Sequence, residues 1–534
     1  MKLKVGNKQY SFEKGENLLE IMLRNKIDIE NNCNGKGSCG KCRVRILSDY
    51  KGEATKLEKE ILTAEEIDSG VRLACKTKVE ENIEIGDIKK SFLDRNILTS
   101  GFIPDFKKDN SYKAYGLAID IGTTTMALSL LNMENHEEIS QASSINPQKK
   151  YGMDVLTRIT YAVENKDGVK ELQRILVKGI NGMIEEACSK AEKNSSLERD
   201  FIKNKIREIV VSANCTMTHT LLGEDIRPLG KYPYKPVFKE RKVLKAKEIG
   251  IDVLEECSLY TFPQISAFIG GDIVAGAYVC ELDKVEKNTL FIDIGTNGEL
   301  ILADTESLMS CSCAAGPALE GMNIKYGMRA QEGAIEDIII EKDASLKLKV
   351  IGDKEAEGLC GSGILAAIRE LLKNKLIKSR GALLKLDEID DSNKLKKLIR
   401  QVDGKREFLI SENLQVTQSD VRQVQLAKGA ILSGIMALLE NANLKVEDIE
   451  EVIIAGQFGK HISEESLIVT GILPKQVRGK IKYMGNTSKT GAYMFLTSYE
   501  ARKNIENLAK KIEYYELSTM KDYEKIFTKS LMFK

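Results

Sequence analysis

One short phrase occurs twice in this sequence. GLAIDIGTTT runs from Gly116 to Thr125, and LFIDIGTNGEL runs from Leu290 to Leu300. In each, an apolar strand carries an aspartate to its tip, Asp120 or Asp293. A glycine turn follows: Gly122, Thr123 and Thr124 in the first copy, Gly295, Thr296 and Asn297 in the second. Glycine lets backbone N–H groups approach an anion closely, and threonine hydroxyls add donors, so such a turn suits a phosphate. The carboxylate before it would face a phosphate-bound magnesium ion, which prefers oxygen ligands. One copy alone also describes an ordinary strand end. Two copies, more than a hundred residues apart, predict paired phosphate loops on two related lobes that close on one nucleotide.

The chain has room for that arrangement and more. Its 534 residues, 42% hydrophobic and 30% charged, describe a globular protein with several packed cores. A net charge of +1 supplies no global field for nucleic acid or an anionic membrane, so neither is expected as a partner. The opening MKLKVGNKQYSF is polar and alternating, and no long uncharged apolar run follows, which predicts a cytoplasmic protein. Eleven cysteines in that compartment argue against a disulfide framework, and none lies beyond Cys360. Several bunch near the start, which asks for a metal.

The first unit is read as residues 1–88. MKLKV and KQYSF form a hairpin, and Asn17 caps an amphipathic helix. Cys33, Cys39 and Cys42 then follow the pattern C-x5-C-x2-C, and Cys75 stands alone in VRLACKTKV. Three thiolates on a loop rich in glycine (Gly35, Gly37, Gly40), with a fourth from afar, make a four-sulfur cage that suits a 2Fe-2S cluster. Zinc is the rival, but it usually pairs two short cysteine knuckles. The same loop fits G-x-x-x-x-G-K from Gly35 to Lys41. Cys42 stands where a P-loop needs Ser or Thr, so that reading is rejected.

Asp87 to Lys113 is polar and without periodicity, a tether in which Phe92, Ile97 and Phe102 are the apolar exceptions. Beyond the first phosphate turn, about Asp154 to Glu192 is helical by pattern. In the turn read after REIVVSA, with Asn214 and Thr216, His219 reads more simply as a hydrogen-bonded core residue than as a ligand. Phe262 to Leu282 is rich in glycine and alanine and reads as one helix suited to a hinge. Its Asp272 either caps the helix or orients water or magnesium. Gly361 and Ser362, just before an apolar helix, make either an anion turn or a plain helix start. EEVIIAGQFG reads as a buried strand whose turn, with Gly456 and Gly459, lets backbone lie against a flat base. A long helix is expected from about Ser419, and a charged amphipathic one over residues 499–514.

The cysteine loop resembles 2Fe-2S ferredoxins of the β-grasp fold, with the adrenodoxin-like spacing. In order, DIGTTT, the small-residue helix, DIGTNGE and IIAGQFG resemble the phosphate 1, connect 1, phosphate 2 and adenosine motifs of the actin, sugar-kinase and heat-shock-chaperone ATPases. Together with AAGPALEGMNIKYGMRA and GLCGSGI, nearly the whole chain resembles the reductive activators of corrinoid proteins. The resemblance implies a multidomain α+β and α/β fold: a β-grasp ferredoxin (1–88), a linker (89–114), and a two-lobed actin-like, ribonuclease-H-like ATPase. Its lobes are 115–289 and 290–534, the second with C-terminal helices. It implies Cys33, Cys39, Cys42 and Cys75 as cluster ligands and ATP with Mg2+ as the nucleotide. Asp120, Asp293 and Asp272 would be the catalytic carboxylates. Gly122, Thr123, Thr124, Gly295, Thr296, Asn297, Gly361, Ser362, Gly456 and Gly459 would line the nucleotide. The implied reaction delivers an electron to the Co(II) corrinoid of a methyltransferase corrinoid protein, restoring Co(I). The implied upstream partner is a low-potential ferredoxin or flavoprotein, and homodimerisation is left open. Rival classes are a small-molecule kinase, a nucleotide-responsive redox sensor or scaffold without turnover, and an ATP-driven donor to another low-potential enzyme. A radical-dehydratase activator would need Cys311 and Cys313 as cluster ligands, although they read more simply as packed thiols.

Overall fold

The structure is a computed structural model of the chain. It describes residues 1–534 except 7, 26, 28, 30–34, 36, 38–39, 49, 51, 87–100, 195–197, 403, 457–461 and 534. Two compact units result: Met1–Leu93 with Gln148–Tyr161, and Asp94–Pro147 with Ala162–Lys534. Gln148–Tyr161, which the sequence places inside the first ATPase lobe, thus groups with the N-terminal unit.

In the N-terminal unit, Lys2–Val5 and Lys8–Ser11 pair as the expected hairpin. The first of them also pairs in parallel with Ile83–Gly86, and Arg43–Ile46 and Val71–Leu73 complete a mixed five-stranded sheet. Asn17 caps the helix Leu18–Arg24, accepting from the N–H groups of Leu19 and Glu20. Its Leu18, Ile21 and Met22 side chains are fully buried with Leu3, Leu73 and Val79. A helix laid across a mixed sheet is the β-grasp arrangement.

The large unit contains the same sheet twice. Around Tyr115–Ile121 the strand order is Glu137–Ile145, Thr125–Asn132, Tyr115–Ile121, Ile206–Ala213, Ser258–Thr261, Val243–Lys245. Around Thr289–Ile294 it is Ile481–Gly485, Glu451–Ala455, Thr289–Ile294, Gly298–Ala303, Leu308–Cys313, Ile512–Tyr514. In both, the aspartate strand starts an antiparallel meander on one side and pairs in parallel on the other. The strands read as near-continuous apolar runs because both faces of each sheet are covered. One face of each sheet supports its own core, one built around Leu117, Ile119 and Leu128, the other around Leu290, Ile292 and Leu300. The opposite faces, with Ala118, Val210, Phe291 and Ile453, share a third core with the helices Gly271–Val279 and Thr487–Thr497.

Those two helices cross through glycine. A Cβ at Gly491 would lie 2.6 Å from the Cβ of Ala275, and one at Gly276 would lie 2.7 Å from the Phe291 ring. Small residues are required there by contact, as the expected close packing of a glycine- and alanine-rich helix demands.

Several sequence expectations need correction. The small-residue helix is Gly271–Val279 only; Phe262–Gly270 is irregular, because Gln264 binds the backbone at Phe262 and Gly271 and Ser266 binds that at Phe268 and Ile269. Thr216 and His219 lie inside the helix Cys215–Leu222 rather than in a turn, with Asn214 as its cap. The last charged helix stops at Lys511, where Ile512–Tyr514 joins the second sheet beside Leu308–Cys313. The stretch read as a tether is docked over its described part. The Phe102 N–H donates to Met484 O at 3.0 Å, the Asn110 N–H to Thr497 O at 3.1 Å and the Tyr112 N–H to Met133 O at 3.1 Å. Phe92 and Ile97 lie outside the described residues.

Placing a side chain at the glycine crossing should separate the helices. Gly491→Val is expected to lower stability by about 1–3 kcal/mol, as overpacking does. Denaturant unfolding measures this, and an unchanged midpoint would contradict the crossing.

Candidate nucleotide and cluster sites

The two phosphate turns are built alike. The Gly122 N–H donates to Thr125 O at 2.9 Å, and the Gly295 N–H donates to Asn297 O at 2.8 Å, so each turn is closed by its own backbone. A Cβ at Gly122 would lie 2.8 Å from Thr125 O. Asn214, capping its helix, donates from Nδ2 to Thr123 Oγ1 at 3.0 Å, and Asn146 donates to Gly122 O at 2.9 Å. The loops then meet on one carboxylate. Thr296 Oγ1 donates to Glu320 Oε1 at 2.6 Å, and Thr124 Oγ1 donates to Glu320 Oε2 at 3.3 Å.

Behind the loops sits a group of acids. Asp120 accepts from Asn486 Nδ2 at 2.8 Å and from Ser488 Oγ at 2.6 Å, both at the start of the helix Thr487–Thr497. Burial raises its proton affinity, against those two bonds and the charge of Lys489. Burial, with Asp293 and Asp120 nearby, pushes the Asp272 carboxyl up to about 8. Burial, then Asp120, pushes Asp293 up to about 7. Glu299 is raised well above its ordinary range by burial and then by Asp272 and Asp293. Asp272 sits in the first turn of its helix and accepts from the neighbouring Ile273 N–H at 2.9 Å, while the cap position is Gly270. Among the described residues no basic side chain figures among the groups that shift Asp272 or Asp293. Among the described residues no three of these acids come together as a ready-made metal cage; single carboxylates suit a magnesium ion that keeps its waters and is held mainly by phosphate.

Gly456 belongs to the same place. It has φ +84°, and a Cβ there would lie 2.4 Å from Asp293 Oδ1, so the turn after Glu451–Ala455 passes directly over that carboxylate. Gly459 lies outside the described residues. Gly361 and Ser362 start the helix Gly361–Lys373, where the Ser362 hydroxyl and the Cys360 thiol are 3.2 Å apart. The glycines there have a packing reason: a Cβ at Gly363 would lie 2.0 Å from Ile335 O.

Of the four cysteines expected to hold the cluster, Cys33 and Cys39 lie outside the described residues. Cys42 and Cys75 are both buried and come from adjoining segments, since the Ala74 N–H donates to Cys42 O at 2.8 Å. Gly35, Gly37 and Gly40 have φ +83°, +89° and +63°. A Cβ at Gly40 would lie 2.5 Å from the Ile61 side chain. Three glycines in the left-handed region, in the same stretch as the buried Cys42, fit a cluster wrapped closely by backbone.

Other titratable groups prove structural. His219 is fully buried, stacks on Phe238 at 4.2 Å, and accepts the Val237 N–H at Nε2 (3.1 Å), leaving Nδ1–H for Cys215 O at 2.8 Å. Cys311 and Cys313 are buried on one strand, and a Cβ at Gly434 would lie 2.2 Å from Cys313 Sγ. Sequence reasoning did not reach Asn486, Ser488 and Glu299 as site residues, nor the bridging role of Glu320. The GNTSKTG stretch signals a helix cap, but nothing local ties it to an aspartate more than three hundred residues earlier.

Asp272 and Asp293 hold protons more tightly in the folded chain than at their ordinary value of 3.8. Their contribution to stability is therefore full below about pH 4 and is lost as pH rises through about 7 to 8. The nucleotide-free protein should melt at progressively lower temperature from pH 6 to pH 9. Asp272→Asn should flatten the profile; an equally steep profile in that variant would contradict the shift.

Residues 3–80 match the 2Fe-2S iron-sulfur cluster binding domain, 115–285 the RACo middle region, and 287–534 the C-terminal domain of RACo, the ASKHA domain. The corrinoid activation enzyme RamQ of Eubacterium limosum is 31% identical over 440 residues, covering 81% of this chain and 72% of that protein. The [Co(II) methylated amine-specific corrinoid protein] reductase of Methanosarcina barkeri is 26% identical over 428 residues, covering 74% of this chain and 73% of its own. A solved structure of a reductive activator for corrinoid, iron-sulfur protein superposes with a TM-score of 0.68 at 28% identity, covering 100% of this chain and 98% of that one. Among the described residues, no helix is long and apolar enough to cross a membrane. With a β-grasp cluster domain joined to a twice-built ATPase fold, the chain belongs to the family of reductive activators of corrinoid proteins.

Proposed function

We propose that this chain transfers an electron from its 2Fe-2S cluster to the Co(II) corrinoid of a methyltransferase corrinoid protein, restoring Co(I), with ATP and Mg2+ driving the step. The observation that carries this reading is the meeting of two Asp-Ile-Gly-Thr turns on Glu320, beside part-buried carboxylates, in a chain that also holds a 2Fe-2S domain. The named activities of the relatives support the corrinoid acceptor.

The chain's own residues divide the work. Cys33, Cys39, Cys42 and Cys75 hold the cluster, which supplies a one-electron carrier of low potential. Thr123, Thr124, Thr296 and Asn297, with the backbone of Gly122 and Gly295, receive phosphate oxygens. Asp120 and Asp293 would face a magnesium ion bound with the nucleotide, and Asp272 would orient water or that magnesium. Gly456 and Gly459 carry the base side, and Gly361 and Ser362 form a further anion turn. Asn486 and Ser488 aim the Asp120 carboxylate from the hinge helix. Nucleotide can promote electron delivery only if its bound and free states differ in affinity for the corrinoid protein. The two lobes joined by crossing helices are the element able to differ. A low-potential ferredoxin or flavoprotein reloads the cluster, in the cytoplasm.

The test is to mix reduced protein with candidate Co(II) corrinoid proteins and follow Co(I) absorbance with and without Mg-ATP. Cys42→Ser should abolish the Co(I) signal. Asp293→Asn should leave the cluster spectrum intact and remove the ATP dependence. Reduction of another acceptor while every corrinoid protein stays Co(II) would overturn the substrate class.

A further inference from the structure

Glu320 does between the two turns what a phosphate would do. Its carboxylate accepts one threonine hydroxyl from each phosphate turn, at 2.6 Å from Thr296 and 3.3 Å from Thr124. A carboxylate and a phosphate offer the same thing to a hydroxyl, an anionic oxygen that only accepts. Burial raises the Glu320 proton affinity, and the bonds from Thr296 and Thr124 and the charge of Arg329 act against that rise in favour of the carboxylate. We propose that Glu320 is the resident anion that pins the two turns together, and that an incoming nucleotide phosphate displaces it. This rests on the reading of the turns as phosphate loops.

The reason is electrostatic and steric. Two anions cannot occupy one set of donors, because like charges a few ångströms apart repel strongly away from bulk water. Displacement has somewhere to go. Glu320 ends the tight turn Pro317–Glu320, which is entered through Gly316 at φ +74°, where an added Cβ would meet nothing within 4 Å. Its far side is fixed: Gly321 has φ +71°, and a Cβ there would lie 2.2 Å from Met328 O. The Lys325 N–H then donates to Asp420 Oδ1 at 2.8 Å, in the capping box of the helix Gln418–Asn441. Motion of Glu320 is therefore handed to a turn braced on a long helix. The segment that distinguishes this chain from a bare phosphate-loop pair, AAGPALEGMNIKYGMRA, gains a role as the reporter of phosphate occupancy.

The experiment is calorimetric titration of the full chain with Mg-ATP and with adenosine, for the parent and for Glu320→Gln. The amide keeps an oxygen acceptor of the same shape and removes the competing charge. Mg-ATP is expected to bind the variant roughly threefold to tenfold more tightly, with adenosine affinity unchanged. Equal or weaker Mg-ATP binding with adenosine binding intact would overturn the proposal alone. A parent protein that binds neither compound would overturn the nucleotide reading and this proposal with it. Should the variant fail to fold, hydrogen exchange in the parent decides. Mg-ATP but not adenosine should speed exchange over residues 317–322, and unchanged or slower exchange there overturns displacement.

Discussion

The ATPase unit depends on part-buried carboxylates placed beside two glycine turns, near enough to feel one another's charge. Burial raises the proton affinity of Asp120, Asp272, Asp293 and Glu299; Asp120 adds to the rise at Asp293, Asp293 and Asp120 to that at Asp272, and Asp272 and Asp293 to that at Glu299. Like charges gathered away from water are unfavourable unless protons or a cation neutralise them. The fold bears this cost because each acid is fixed by an element that cannot easily shift. Asp120 and Asp293 end central strands, Asp272 begins a hinge helix, and Glu299 lies on the strand paired with Asp293. Acids whose charged forms are disfavoured in this way are ones that a magnesium nucleotide would stabilise as carboxylates.

The same elements explain how relaxation at the site spreads. Both sheets present one face to a shared core, and the helices in that core touch through glycine and alanine. Asn486 and Ser488 open one of those helices and hold Asp120, while Asp272 opens the other. Any change in the charge of the acids is thereby felt at the ends of both hinge helices. Arg502 adds a second tie, donating to both Glu208 oxygens at 3.2 and 3.0 Å, with Asn110 and Tyr112 completing the shell.

How much of this was legible depended on distance along the chain. The repeated Asp-Ile-Gly-Thr phrase, the cap at Asn17 and the apolar strands were local, and local chemistry fixes such elements. The length of the hinge helix was misjudged because Phe262–Gly270 has helix-compatible apolar spacing. Side-chain bonds from Gln264 and Ser266 to the backbone hold that stretch out of a helix. The stretch after Gly101 looked like a tether because it has no periodicity. Its order comes from backbone bonds to Met484 and Thr497 far away, which no local pattern encodes. Asn486 and Ser488 were invisible as site residues for the same reason. Glu320 was visible only as an acid in a glycine-rich loop, since its partners come from both phosphate turns.

The central claim is that the acids beside the two turns hold protons more tightly than free carboxyls do, so that a magnesium nucleotide bound there displaces protons from them. Proton counting tests it directly: Mg-ATP binding is measured by calorimetry at pH 7 in buffers of different ionisation enthalpy. The account predicts net proton release from the acids of the site, diminished in Asp272→Asn. Binding with no proton release, or with release unchanged in that variant, would contradict it.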